Sequence, residues 1–148
     1  MMLWSIISGA KARQLTQCLA AAAVIAMGIP AMAAGKQPLR DVGQMDDRLL
    51  WVAIAIEISD RCDRIEPRTL RGMNYLWATR SQAQELGYSN AEIKAYLDSK
   101  AEKDRMRARG ESYVRAQGLD PLNDADLCTL GQAEMSKGSQ IGAFLRMK

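Results

Sequence analysis

Cysteine stands at three positions, 18, 62 and 128, and the pairing these allow constrains the fold more than any other feature of the chain. Cys18 lies in an N-terminal segment with the three-part plan of a secretory signal. Lys11 and Arg13 lead into an apolar run from Cys18 to Ile29, Gly28 and Pro30 end it, and Ala31-Met32-Ala33 supplies the small residues of a cleavage site. The run is about a dozen residues long, short of the roughly 20 that a hydrocarbon core requires. It therefore reads as a signal peptide over 1–33, cut after Ala33, with no stable membrane anchor left behind. Leu15-Thr16-Gln17 lacks the small residue expected before a lipidated cysteine, so Cys18 leaves with the signal. An even pair then remains in an oxidising compartment, the periplasm, and Cys62 is expected to bond Cys128.

Removing the signal also removes Lys11 and Arg13, leaving 18 Lys and Arg against 17 Asp and Glu, a net charge of +1. A near-neutral domain has no general field for nucleic acid, whose binding rests on neutralising many phosphates. The length fits one domain, here a linker over 34–38 that the new N-terminus leaves loose and a helical domain over 39–148. Leu39, Val42, Met45, Leu49, Val52 and Ile56 recur at steps of three and four, with Leu50, Ile54 and Ile58 broadening the stripe. This first helix has almost no polar face between Leu49 and Ile56, so it is expected to be the most enclosed. It should end near Ile65, because Pro67 disfavours helical geometry in the residue before it.

Pro67 suits the first turn of a second helix, with Leu70, Met73, Leu76, Trp77 and Leu86 as its expected buried face and Gly87 as its C-cap. Ser89 followed by Glu92 is a capping box for a third helix running toward Gly118, which Gly110 is expected to bend or divide. Asp120-Pro121 marks a turn, and Asn123 or Asp124 caps a fourth helix carrying Leu127, Leu130, Met135, Ile141, Phe144 and Leu145. No strand pattern is visible. The expected fold is all-α, an antiparallel bundle of about four helices with one disulfide. Alternation of helix direction brings the end of the first helix, with Cys62, beside the start of the fourth, with Cys128. Gly131, Gly138 and Gly142 are expected to let the fourth helix approach the Trp51 and Ile54 face closely.

The chain contains no histidine, which excludes histidine-based triads and the usual zinc sites. No phosphate loop or calcium loop occurs, and neither a cofactor nor a metal is expected. Carboxylates remain, and Glu57, Asp60 and Glu92 are the first candidates for a hydrolase relying on them alone. Glu57 lies one turn before Arg61, however, and reads first as its ion-pair partner. Arg61, Arg64, Arg68 and Arg71 step by three and four across Pro67 and form the candidate docking site for an anionic partner, since arginine forks suit carboxylates and phosphates. The charges of the third helix, Lys100, Lys103, Arg105, Arg107, Arg109 and Arg115 among Glu102, Asp104 and Glu111, read as a solvated face.

The signal segment, Cys62 in a helix end rich in acids and arginines, Gly87-Tyr88-Ser89 before Glu92-Ile93, Cys128 and the closing Ser139-Gln140-Ile141-Gly142 together resemble a family of uncharacterised exported helical proteins from alphaproteobacteria. A looser likeness connects the chain to small disulfide-bonded periplasmic proteins, including acid-stress chaperones and toxin-neutralising immunity proteins. These resemblances imply fold and compartment. The functional expectation is a non-enzymatic binding module for a protein partner, whether accessory, immunity-like or chaperone-like. A carboxylate-dependent envelope hydrolase and a structural subunit of an envelope complex are its alternatives.

Overall fold

The computed structural model describes residues 36–148. The expected signal peptide, Cys18 and the first two residues of the expected linker lie outside them. A 3-10 turn at Leu39–Asp41 precedes α1 (Gly43–Arg61), β1 (Ile65–Pro67), α2 (Thr69–Glu85), α3 (Asn90–Asp98), α4 (Lys100–Ala116), α5 (Asp124–Lys137), α6 (Gln140–Ala143) and β2 (Leu145–Met147).

The fold is mostly helical and α1 is its axis, as the width of its apolar stripe implies. It packs against α2, α4, α5, α6 and β1. Leu50, Ile54, Ile58, Ile65, Leu127, Leu130, Ile141, Phe144 and Leu145 form one buried cluster around it. Burying one such side chain fully contributes about 1.5–3 kcal/mol. A smaller cluster of Leu39, Met45, Ala83, Tyr88 and Ile93 closes the other end. Cys62 caps the C-terminus of α1 and is bonded to Cys128 in the second turn of α5, with 5.2 Å between their α-carbons. The end of one helix thus meets the start of the other, as alternating directions require.

Several boundaries differ from the sequence expectation. Ile65–Pro67 is a strand, pairing antiparallel with Leu145–Met147 in the register Ile65 to Met147 and Pro67 to Leu145. Pro67 therefore lies before α2 rather than in its first turn. The expected third helix is divided at Ser99, not at Gly110: the Ser99 hydroxyl accepts from the Glu102 amide at 3.3 Å and starts α4 anew. The expected fourth helix stops at Lys137, where Gly138 adopts a left-handed conformation (φ 64°) and the chain turns into α6.

The close glycine approach is real but has another address. A Cβ on Gly131 would lie 2.6 Å from Ile65 Cδ1 and 2.7 Å from Ile58 Cγ2, so α5 sits against Ile58 and Ile65 rather than Trp51 and Ile54. A Cβ on Gly142 would lie 2.2 Å from the Glu134 carbonyl oxygen, so only glycine lets α6 fold back on α5. The visible part of the linker is held rather than loose. Lys36 Nζ donates to the Gly87 carbonyl at 2.7 Å and sits 4.6 Å from the centre of the Tyr88 ring.

Candidate functional site

α2 departs most from what its sequence implies. Its expected buried face points outward: Leu70 is 79% exposed, Trp77 60% and Met73 43%, and Leu86 is exposed too. The side that packs inward has Thr79 and Ala83 buried and one large ring, Tyr75, edge-on to Phe144 with 4.9 Å between ring centres. The cause lies in α1, where Arg48 projects at the contact. Its guanidinium donates to Gln82 Oε1 at 2.6 Å and lies 4.7 Å from the centre of the Tyr75 ring. A half-buried arginine requires acceptors, so α2 presents Thr79, Gln82 and Tyr75 to it. Its apolar stripe is thereby turned away from the core. Next to that stripe, Leu76 and Trp77 form one wall of a groove of about 240 Å³, with Leu49, Ile93 and Leu97 opposite.

The four arginines singled out from the sequence separate into two groups. Arg61 is occupied within its own chain. It donates to Asp124 Oδ1 at 2.7 Å, to the carbonyls of Pro121 and Leu122 at 2.7 and 2.6 Å, and to Glu57 Oε1 at 3.2 Å. The hydrogen bond to Asp124 is the main reason its pKa is raised further. Arg64, Arg68 and Arg71 are exposed and, among the described residues, form no ion pair. β1 interrupts the row between Arg64 and Arg68. The strand pairing nevertheless fixes the base of α2, because the Arg68 amide donates to the Phe144 carbonyl at 2.7 Å and the Lys148 amide to that of Arg64 at 3.0 Å.

The candidate carboxylates are differently engaged, Glu57 and Asp60 one turn apart on α1 and Glu92 at the start of α3. Glu57 pairs with Arg61, Asp60 is exposed, and Glu92 belongs to the capping box of α3. The Lys36 ammonium and the Ser89 amide and hydroxyl hold the Glu92 carboxyl down at about 2. No group of three or more metal-ligating side chains converges among the described residues, and no helix there is long and apolar enough to cross a membrane.

Sequence reading missed a buried charge cluster joining α1, α3 and α4. Asp46 accepts from Arg105 Nη1 at 2.9 Å, from the Tyr96 hydroxyl at 2.5 Å and from Arg109. Burial pushes its carboxyl up, but the hydrogen bonds of Arg105 and Tyr96 and the charges of Arg105 and Arg109 outweigh this and hold it below the ordinary range. Burial, with the bond to Asp46, raises the Tyr96 phenol. Arg105 also pairs with the buried Glu102 at 2.9 Å, and Arg40 reaches the same carboxylate. The supposed solvated face of α4 is thus divided. Arg105 and Arg109 turn toward Asp46, while Lys103 and Arg107 border a second groove against α1.

Residues 37–146 match the model of a family described as "Family of unknown function (DUF5333)". No curated protein matches, and no solved structure does.

Proposed function

Since the chain belongs to this family of unknown function, its own surface has to supply the reading, and we propose that it is a non-enzymatic, exported module that docks a protein partner on the outer face of α2. The carrying observation is the exposed row Leu70, Met73 and Trp77 at helical spacing beside an apolar groove. Isolated exposed apolar residues are ordinary, but a contiguous apolar patch with a polar rim marks an interaction surface. Tryptophan and arginine are also the side chains that most often dominate binding energy. Arg64, Arg68 and Arg71 at the base of the same helix give the surface its sign. The occupant we assign is an acidic amphipathic segment of another protein, its apolar side on the row and groove and its carboxylates on the arginines. A second copy of this chain fits less well, since its arginine-rich rim would meet another of the same charge.

Two variants test this reading separately. Leu70→Ser with Trp77→Ser removes the apolar anchor, and Arg64→Glu, Arg68→Glu and Arg71→Glu together reverse the rim. All five positions are exposed, so each variant should remain folded, which its thermal melt checks. Each is expected to reduce recovery of one dominant protein from cell-envelope extract at least tenfold, with the wild-type interaction weakening as salt is raised. Equal recovery by wild type and both variants would overturn the assignment. So would sedimentation of the wild type as a dimer lost in the same variants, or its partition onto anionic phosphatidylglycerol vesicles without any protein partner.

A further inference from the structure

A second groove lies on a different part of the molecule, between α1 and α4, and it has a different chemistry. Its volume is about 540 Å³, within the roughly 300–1,000 Å³ of small-molecule sites. Ile54, Met106, Val114, Leu122 and Leu127 make its walls aliphatic, and among the described residues no aromatic ring lines it. Gly110 keeps it open. A Cβ there would meet only Ile54 Cγ1, at 3.5 Å, and every larger side chain would project into or across the space.

The charges at its mouth are unequal in availability. Glu57 and Glu111 are neutralised by Arg61 at 3.2 Å and Arg115 at 2.8 Å. Lys103 and Arg107, one turn apart on α4, line the same groove and form no ion pair among the described residues. Two cations that form no ion pair among the described residues thus stand over an aliphatic slot whose carboxylates are already paired, and the Asp98 and Asp104 carboxylates that feel them are held by Lys94 and Lys100. We infer that the α1–α4 groove binds an anionic amphiphile with a single flexible aliphatic chain, a fatty-acid-type carboxylate whose head lies between Lys103 and Arg107 and whose chain lies on Ile54, Met106 and Val114. The absence of aromatic walls favours a flexible chain over a planar ring, and the unpaired cations favour an anionic head over a neutral or cationic one.

The site is independent of α2 and stands or falls without it. The test uses sodium decanoate below its micellar concentration, titrated calorimetrically into the protein, with decyltrimethylammonium as the cation of equal chain length. The wild type should bind one decanoate saturably, at least tenfold more tightly than the cation. Amide shift changes should centre on Gly110 and Val114. Lys103→Glu with Arg107→Glu, both at exposed positions, should weaken decanoate at least tenfold and remove the preference for the anion. Absence of saturable decanoate binding by the folded wild type would overturn the assignment, as would equal binding of the two amphiphiles. Decanoate binding that survives the double variant but is lost in Leu70→Ser with Trp77→Ser would move the amphiphile to α2 and also overturn it.

Discussion

Replacing Cys62 and Cys128 together by alanine lowers stability by about 4 kcal/mol and the Tm by roughly 15 °C or more. The cysteines are 66 residues apart, and in the chain-entropy view a loop of that length confines the unfolded chain strongly. The loop contains α2, α3 and α4. Of these, α2 is attached to α1 through small and polar groups and leaves its apolar row in solvent. Apart from Tyr75 against Phe144, its apolar burial contributes little to holding the loop in place, and the covalent closure matters correspondingly more. Both cysteines are buried, and alanine avoids placing an unpaired hydroxyl where the sulfur was. Urea unfolding of the variant, beside the wild type with and without reductant, measures the effect. The reduced wild type should fall to the level of the variant, and the variant should not respond to reductant. A loss below about 1 kcal/mol would mean that the loop is held mainly by its packing.

The second large effect is expected at Asp46. Truncation to alanine takes one carboxylate from Arg105 and Arg109, which keep only Glu102 and Asp47, and leaves the Tyr96 hydroxyl without its acceptor. Removing one member of a buried ion pair costs about 3–5 kcal/mol. Arg105 and Arg109 keep 28% and 34% of their side-chain surface in solvent, which screens the exposed charge. The expected loss for Asp46→Ala is therefore roughly 3 kcal/mol, the lower end of that range. Asp46→Asn keeps the shape and isolates the charge. Because the folded-state pKa of Asp46 lies below its unfolded value of about 3.9, its contribution is fully present above that pH and disappears as pH falls through the folded value. Glu92 acts in the same direction, its contribution fading between about 4.5 and about 2. Thermal melts from pH 7 to pH 3 should thus show the wild type approaching Asp46→Asn as the pH drops below about 4. A constant gap between the two would show that the carboxylate charge is not what stabilises the cluster.

The parts of the fold legible in the sequence are those with a local signature. The enclosed character of α1 follows in part from the width of its apolar stripe: Ile58, in its last turn, is wholly buried, while Ile56 is 50% exposed. Ser89 and Glu92 form the capping box that their spacing implies, with 2.7 and 3.2 Å hydrogen bonds. The same signature recurs at Ser99 and Glu102, where it ends one helix and begins the next. It was there to be read, but Gly110 was the more conspicuous interruption. The two strands lacked any such signal. Each has three residues, too few for an alternation, and each is defined only by its partner about 80 residues away, where Arg146 pairs with Glu66 at 2.6 Å.

The candidate surface was legible only in part, for a related reason. Periodicity reports that a helix has an apolar face; it does not report whether anything within the chain covers that face. Leu70, Met73 and Trp77 carried the periodic signal of burial, while Arg48, 29 residues before Trp77 in a different helix, decided which side of α2 turned inward. Arg61 illustrates the converse. Its spacing groups it with Arg64 and Arg68, which form no ion pair among the described residues, yet the turn at Pro121 and Leu122, distant in sequence, brings the carbonyls that engage it.

Site-specific photocrosslinking in living cells tests the central proposal most directly. A photoreactive residue replaces Trp77, and in a control protein Lys94, exposed on α3 and in ion-pair contact with Asp98. If α2 is the docking face, position 77 should yield one dominant adduct with another protein, the crosslinked peptide should carry acidic residues beside its apolar ones, and position 94 should not give that adduct. Equal adducts at both positions, or an adduct at 77 only with a second copy of this chain, would contradict the account.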